Sequence, residues 1–218
     1  MSTPASVPAP TRAEPRGFTL IELLIVIAIL GVLAAVLLPA VLEIGGVADE
    51  AATEATMLQL AQGCQNFNRA NGYYPLDDLS YGDKQKKATW KADNNRNTGI
   101  ESLVCMLSQS KKDGLDLTGL AEHFVNTDAD DHGVDLPLLR RRDRLEIADA
   151  WGTPLAYFHT LGMDRAQSVV PAPEVDVVQV KAKRRPDGTY YGTGKFQLLS
   201  AGKDLTFGTD DDIVHPQN

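Results

Sequence analysis

The 218-residue sequence is poor in the groups on which most enzymes and nucleic-acid-binding proteins rely. It has two cysteines, Cys64 and Cys105, and only 6% aromatic residues. Two cysteines cannot build a disulfide framework or a cysteine-rich zinc site, which leaves one bridge or two separate thiols. The four histidines, His123, His132, His159 and His215, sit at no metal-ligand spacing with one another or with a cysteine. There is no nucleophile elbow, phosphate loop, dinucleotide fingerprint or zincin motif. Basic residues number 21 against 29 acidic ones, for a formal net charge of −8. The basic runs, Arg140-Arg141-Arg142 and Lys181 to Arg185, are short and read as solvated faces. A nucleic-acid partner, which needs clustered Lys and Arg, is not expected.

What the sequence does have is one long apolar run. Residues 1–16 are polar and Pro-rich; Gly17 follows, then Phe18-Thr19-Leu20-Ile21-Glu22. From Leu23 to Leu38 nothing is charged or strongly polar. Phe18 to Leu38 is about one bilayer crossing, because roughly 20 apolar residues span the hydrocarbon core. Arg12 and Arg16 precede it and favour a cytoplasmic N-terminus. A secretory signal peptide has a shorter apolar core followed by a small-residue cleavage site. A plain membrane anchor fits the length but leaves Glu22 without a role, and an acid inside a membrane helix is a functional feature by default. A third reading gives it a partner. Cleavage after Gly17 makes Phe18 a new N-terminus with an ammonium group, and Glu22 lies four residues on, on the same helix face. Between neighbouring copies, carboxylate and ammonium then neutralise each other where hydrocarbon tolerates neither alone.

Arg16-Gly17-Phe18-Thr19-Leu20-Ile21-Glu22 and the apolar run resemble the type III signal of the type IV pilin superfamily. That superfamily comprises pilins, competence pseudopilins and type II secretion pseudopilins. The resemblance implies a cleaved leader (residues 1–17), a prepilin peptidase that cuts between Gly17 and Phe18 and methylates Phe18, and assembly through Glu22. It also implies partners: other copies of the chain, other pseudopilins and an inner-membrane assembly platform. The expected location is the cytoplasmic membrane, crossed once, with the C-terminal domain on the periplasmic side. The rival from another class is a membrane-tethered extracytoplasmic enzyme or binding module, which needs convergent catalytic groups that the sequence does not offer.

Beyond the apolar run (18–38), residues 39–71 continue a helical pattern. Ile44, Ala48, Ala51, Ala55 and Leu58, then Met57, Leu60, Cys64 and Phe67, recur at three- and four-residue spacing. This half is amphipathic and is expected to lay one face on a folded domain. Pro39 and Gly45-Gly46 are the expected bend points, Gly31 leaves room for close helix contact, and Asn71-Gly72 is a stop. Residues 72–148 read as a variable insertion, with short helices at Ile100–Gln109 and Leu136–Ile147 and a polar loop at Lys84–Gly99. Residues 149–218 read as strands: Leu155–Thr160, Val175–Ala182, Thr189–Tyr191 after the Pro186-Asp187-Gly188 turn, Lys195–Ser200 and Ile213-Val214. The expected fold class is α+β, a long N-terminal helix against a small antiparallel sheet.

Three further segments extend the resemblance. Gly72-Tyr73-Tyr74-Pro75 resembles the Gly-x-Tyr-Pro that follows the long helix in many pseudopilins. Asp149-Ala150-Trp151-Gly152-Thr153-Pro154-Leu155-Ala156-Tyr157 is similar to a segment of the major, G-type pseudopilins; Trp151 reads as a core anchor and Gly152-Thr153-Pro154 as a turn into a strand. In Leu199–Ile213, Asp204, Asp210, Asp211 and Asp212 crowd nine residues. Crowded carboxylates repel unless a cation neutralises them, and Ca²⁺ takes six to eight oxygens in such loops. The loop is similar to the pseudopilin calcium loop, which implies Asp204 and Asp210 as ligands, Asp212 next, and the carbonyls of Leu199 and Ala201. That family loop often has Asp-Gly where this chain has Asp204-Leu205. A second cluster, Asp128, Asp130, Asp131 and His132, reads as a solvated loop.

Overall fold

The structure, a computed structural model, describes residues 18–79, 91–108, 117–133, 135–136 and 139–217; for 38–45 and 118 it describes the backbone alone. The leader through Gly17, the first part of the predicted polar loop (84–90), and the side chains of Pro39 and Ile44 therefore lie outside the described residues. The chain is α+β. Helix α1 covers Leu20–Asn71, α2 covers Thr98–Leu107, and a 3₁₀ helix covers Leu117–His123. The strands are β1 (Phe124–Val125), β2 (Glu146–Ile147), β3 (Ala156–His159), β4 (Gln167–Val169), β5 (Val178–Val180), β6 (Phe196–Ser200) and β7 (Ile213–His215). Contacts divide the chain into two units, Met1–Ile44 and Gly45–Asn218.

In the second unit, α1 buries Thr53, Thr56, Met57, Leu60, Ala61, Cys64 and Phe67, which recur at three and four residues along one face. The expected face is right from Met57 onward. The other expected positions differ: Ala48, Ala51, Ala55 and Leu58 are exposed, and Thr53 and Thr56 take inward positions. Both are satisfied there. Thr56 Oγ1 donates to the Ala52 carbonyl at 3.1 Å, and Thr53 Oγ1 accepts from the Ala150 amide at 3.1 Å. A hydrogen-bonded hydroxyl is tolerated inside, so an apolar count alone misplaces this stripe. α1 ends as expected: Gly72 takes φ 80°, and its amide bonds the Asn68 carbonyl at 2.8 Å.

Instead of one small sheet there are three antiparallel ones, β1-β2, β3-β6-β7 and β4-β5. In the central sheet Tyr157 faces Leu198 and His159 faces Phe196. Alternation along β3 and β6 sends Tyr157, Phe196 and Leu198 towards α1 and α2, and Ala156, Phe158 and Leu199 into a second cluster with Met163, Val169, Val180 and Ala182. Both faces of this sheet are thus covered. Tyr157 also donates to the Pro75 carbonyl at 2.6 Å, which ties the segment after α1 to the sheet. Cys64 and Cys105 are both buried thiols, with no bridge between them.

The predicted helix at Leu136–Ile147 is not formed. The described part of this stretch makes a turn, with the Arg140 amide on the Leu136 carbonyl at 2.8 Å, then runs irregularly into β2. Its backbone pairs with the preceding segment: His132 N bonds Arg142 O at 2.7 Å, and Leu136 N bonds Arg141 O at 2.9 Å. Arg140 at φ 51° also breaks any helix there. Strands begin earlier than residue 149, with β1 and β2 inside the predicted insertion. Of the C-terminal strands, Thr189–Tyr191 forms only an isolated bridge, Arg184 to Tyr190, and β4 was not anticipated.

Candidate functional site

The first candidate is the N-terminal end of α1. Leu20–Leu37 is 18 residues long with mean hydropathy 3.0, long and apolar enough to cross a membrane. None of it is buried: Leu20, Ile21, Leu23, Leu24, Val32 and Val36 are all more than half exposed. A Cβ placed on Gly31 would meet nothing within 4 Å. An uninterrupted apolar helix exposed all round needs lipid or other helices as its surroundings.

Glu22 stands in the first turn of this helix. Its Oε2 accepts from the Thr19 amide at 2.8 Å and from Thr19 Oγ1 at 2.7 Å, while Thr19 Oγ1 accepts from the Glu22 amide at 3.2 Å. Thr19-Leu20-Ile21-Glu22 is thus a reciprocal capping box. The Thr-x-x-Glu spacing was available in the sequence but was overlooked beside the charge-pairing argument. Glu22 has a local role within one chain in addition to any role between chains. Cutting the chain before Phe18 leaves this cap intact, because the Thr19 amide belongs to the Phe18–Thr19 peptide bond.

The second candidate is the loop after β6. Asp204 Oδ1 caps the Thr206 amide at 2.8 Å, and Asp211 Oδ2 accepts from the Asp204 amide at 2.9 Å. Hydrogen bonds from the Thr209 hydroxyl and the Asp204 amide hold the Asp211 carboxyl below the usual range. Asp212 accepts from the Gly208 amide at 3.0 Å and from Lys183 Nζ at 3.4 Å; burial pushes its carboxyl up. Lys183 Nζ also reaches the carbonyls of Thr209 and Asp212, each at 3.3 Å. Asp204 and Asp210 are exposed. Leu199 sits in β6 and Ala201 is fully buried next to it. Asp204, Asp210 and Asp212 do not form one of the carboxylate groups compact enough to share an ion among the described residues. In this conformation a lysine ammonium, rather than a converging set of carboxylates, serves the loop. Gly202 allows the close approach, since a Cβ there would collide with the Asp211 carbonyl.

The Asp149–Pro154 segment is a structural knot. Asp149 Oδ1 accepts from the amides of Trp151 and Thr153, at 3.0 and 2.9 Å, and Oδ2 accepts from the Ser200 hydroxyl at 2.7 Å. Trp151 is half-buried against the main core.

The third locus was read as a solvated loop and is not one. Asp128 and Asp130 lie beside Asp93, Glu101 and Glu146, and the buried guanidinium of Arg144 pairs with Asp93 and Asp130. The exposed arginines 140–142 behave as expected; Arg144, two residues on, has a side chain only 1% exposed. It donates to Asp130 Oδ2 at 2.8 Å and to Asp93 Oδ1 at 3.4 Å. Its Nε lies 3.4 Å from His132 Nδ1, and burial holds that imidazole neutral, with a pKa of about 4. Burial and the neighbouring carboxylates push Glu101 up to about 10, and burial pushes Glu146 to about 8 and Asp130 to about 6.

Residues 14–38 match the family model of the prokaryotic N-terminal methylation motif. No curated protein and no solved structure gives a significant match to the chain. The matched residues include Gly17-Phe18 and the exposed apolar helix. It supports a type IV pilin-like protein that is processed by a prepilin peptidase, assembles with other pilin-type subunits and is anchored by a single membrane pass.

Proposed function

We propose that this chain is a structural subunit of a type II secretion pseudopilus, and not an enzyme. The observation that carries the reading is the methylation motif followed by an apolar helix with no intramolecular cover and one acid in its first turn. In the proposed cycle the leader is removed after Gly17 and Phe18 is methylated. The subunit waits in the cytoplasmic membrane with residues 45–218 on the periplasmic side. Subunits then join head to tail into an open helical filament, a heterologous contact that does not close into a ring. The Leu20–Leu37 segments form its core, and each Glu22 meets the N-terminal ammonium of a neighbour. The similarity of the segments around Trp151 and Asp204–Asp212 to major pseudopilins favours secretion over a type IV pilus, where the chain would serve as a pilin or minor pilin. The acidic loop is proposed as a calcium loop on the same ground, with Asp204, Asp210 and Asp212 as side-chain ligands; ion entry there requires Lys183 to leave Asp212.

Glu22→Val and Glu22→Gln test the assembly step together. Glutamine keeps a capping-box residue at its position while removing the charge. Both variants are expected in the membrane at wild-type levels and absent from filaments, with mass spectrometry of wild-type filaments showing a methylated Phe18 N-terminus. Normal incorporation of the glutamine variant would eliminate charge pairing as the basis of assembly.

A further inference from the structure

The five carboxylates of this group come from separate parts of the chain. Asp93 precedes α2, Glu101 is in its first turn, Asp128 and Asp130 follow β1, and Glu146 is in β2. Arg144 serves Asp93 Oδ1 and Asp130 Oδ2, Thr98 Oγ1 serves Asp93 Oδ2, and Asn94 Nδ2 serves Asp128 Oδ2. Asn97 Nδ2 and the Thr127 amide serve Glu146 at 2.7 and 3.2 Å. Among the described residues, four buried oxygens are left without a partner: Oε1 and Oε2 of Glu101, Oδ1 of Asp128 and Oδ1 of Asp130. Glu101 is 1% exposed, so bulk solvent does not reach it.

Oxygens of Glu101, Asp128 and Glu146 lie within 4.8 Å of one another, as do oxygens of Asp93, Glu101 and Asp130. That spacing has a meaning. Two ligands of one Ca²⁺, each about 2.4 Å from it, can be at most about 4.8 Å apart, whereas Mg²⁺ demands a tighter octahedron. The donors are all hard oxygens, with no thiolate among them, which selects against zinc and copper. Arg144 reaches only two of the five carboxylates, Asp93 and Asp130, and the orphaned atoms belong to acids, for which a cation is the fitting partner.

We propose that Glu101, Asp128 and Glu146, with Asp130 beside them, form a calcium site that joins the first turn of α2 to β2 and the segment after β1. It is separate from the acidic loop after β6 and does not depend on the secretion reading. Calcium here holds the residues between α1 and the central sheet in one arrangement, and its removal loosens them by mass action.

The test uses the full chain in detergent micelles at pH 7, stripped by a chelator and titrated with Ca²⁺ or Mg²⁺ alone. Calorimetry counts equivalents, and thermal unfolding reports Tm. Glu101→Gln is expected to lose one calcium equivalent and the calcium-dependent rise in Tm that goes with it, while its metal-free Tm exceeds that of the wild type. Asp128→Asn, a second variant should the first fail to fold, is expected to lose the same equivalent. A doubly substituted loop, Asp204→Asn with Asp212→Asn, is expected to keep it. The site is refuted if the wild type takes up no calcium at millimolar ion, if Glu101→Gln binds as many equivalents as the wild type, or if only the loop variant loses calcium.

Discussion

Two acidic regions of the folded domain invite comparison. The Asp204–Asp212 loop is conspicuous in the sequence, yet its carboxylates are spent on local work: they cap backbone amides two to seven residues away and hold one half-exposed lysine. The Glu101 group is scattered over more than fifty residues, yet its carboxylates meet in the interior and leave four oxygens unserved. Density along the chain measures the ease of making turns. What recruits a cation is burial of charge without enough donors, and that is decided by which elements the fold brings together.

The counter-cations give the largest expected difference between the two regions. Arg144 is buried and serves two carboxylates, whereas Lys183 has a side chain 30% exposed. Arg144→Met strands Asp93 and Asp130 and is expected to cost about 3–5 kcal/mol, or to prevent folding. Lys183→Met leaves the Asp212 carboxyl, whose side chain is 2% exposed, with the Gly208 amide as its partner, and is expected to cost less, about 1–3 kcal/mol. Denaturant titration followed by tryptophan fluorescence measures both. Equal losses would erase the distinction between a buried and a surface cluster.

pH separates the regions next. In the folded chain Glu101 and Glu146 titrate near 10 and 8, above their ordinary range. An acid whose folded pKa is raised contributes stability that is fully present below its unfolded pKa of about 4.5 and is lost as pH rises through the folded value. Asp211 is shifted the other way, and its contribution is present above the ordinary carboxylate range and lost only on strong acidification. In chelator-treated protein Tm is therefore expected to fall between pH 5 and pH 8, and the fall should shrink in Glu101→Gln. A Tm that is flat over this window in the wild type would mean that the interior carboxylates are already neutralised by something other than protons.

The same contrast explains what was legible in the sequence. The apolar run, the Asn71-Gly72 stop, α2 and strands β3, β5, β6 and β7 follow from periodicity and turn residues that act locally. The α1 face before Met57 was misread because Thr53 and Thr56 pass for surface residues until their partners at Ala52 and Ala150 are known. The stretch to Ile147 reads as helix by composition, and pairing with the 130–136 backbone overrides that preference. At the N-terminus the methylation motif is legible because its residues are contiguous. The Glu101 group was not, since Asp93, Glu101, Asp128, Asp130 and Glu146 have no common spacing and Arg144 looks like one more surface arginine.

The smallest expected effect concerns the backbone of the loop. Leu205 adopts φ 60°, the left-handed region in which a Cβ is crowded, and it stands where the similar pseudopilin loop often has glycine. Non-glycine residues lose roughly 1–2 kcal/mol in this conformation. Glycine relieves that strain but adds unfolded-state entropy worth roughly 0.5–1 kcal/mol. Leu205 is 48% exposed, so it forfeits little burial. Leu205→Gly is therefore expected to stabilise the domain by about 0.5 kcal/mol, a small rise in Tm. Leu161→Gly, at a more exposed site that is not left-handed, is expected to lower it. If both substitutions destabilise alike, the leucine is held by contacts with Phe207 and its neighbours rather than strained by its backbone. The loop would then be a rigid element in its own right, and the lysine at its centre would be part of the design and not a substitute for an ion.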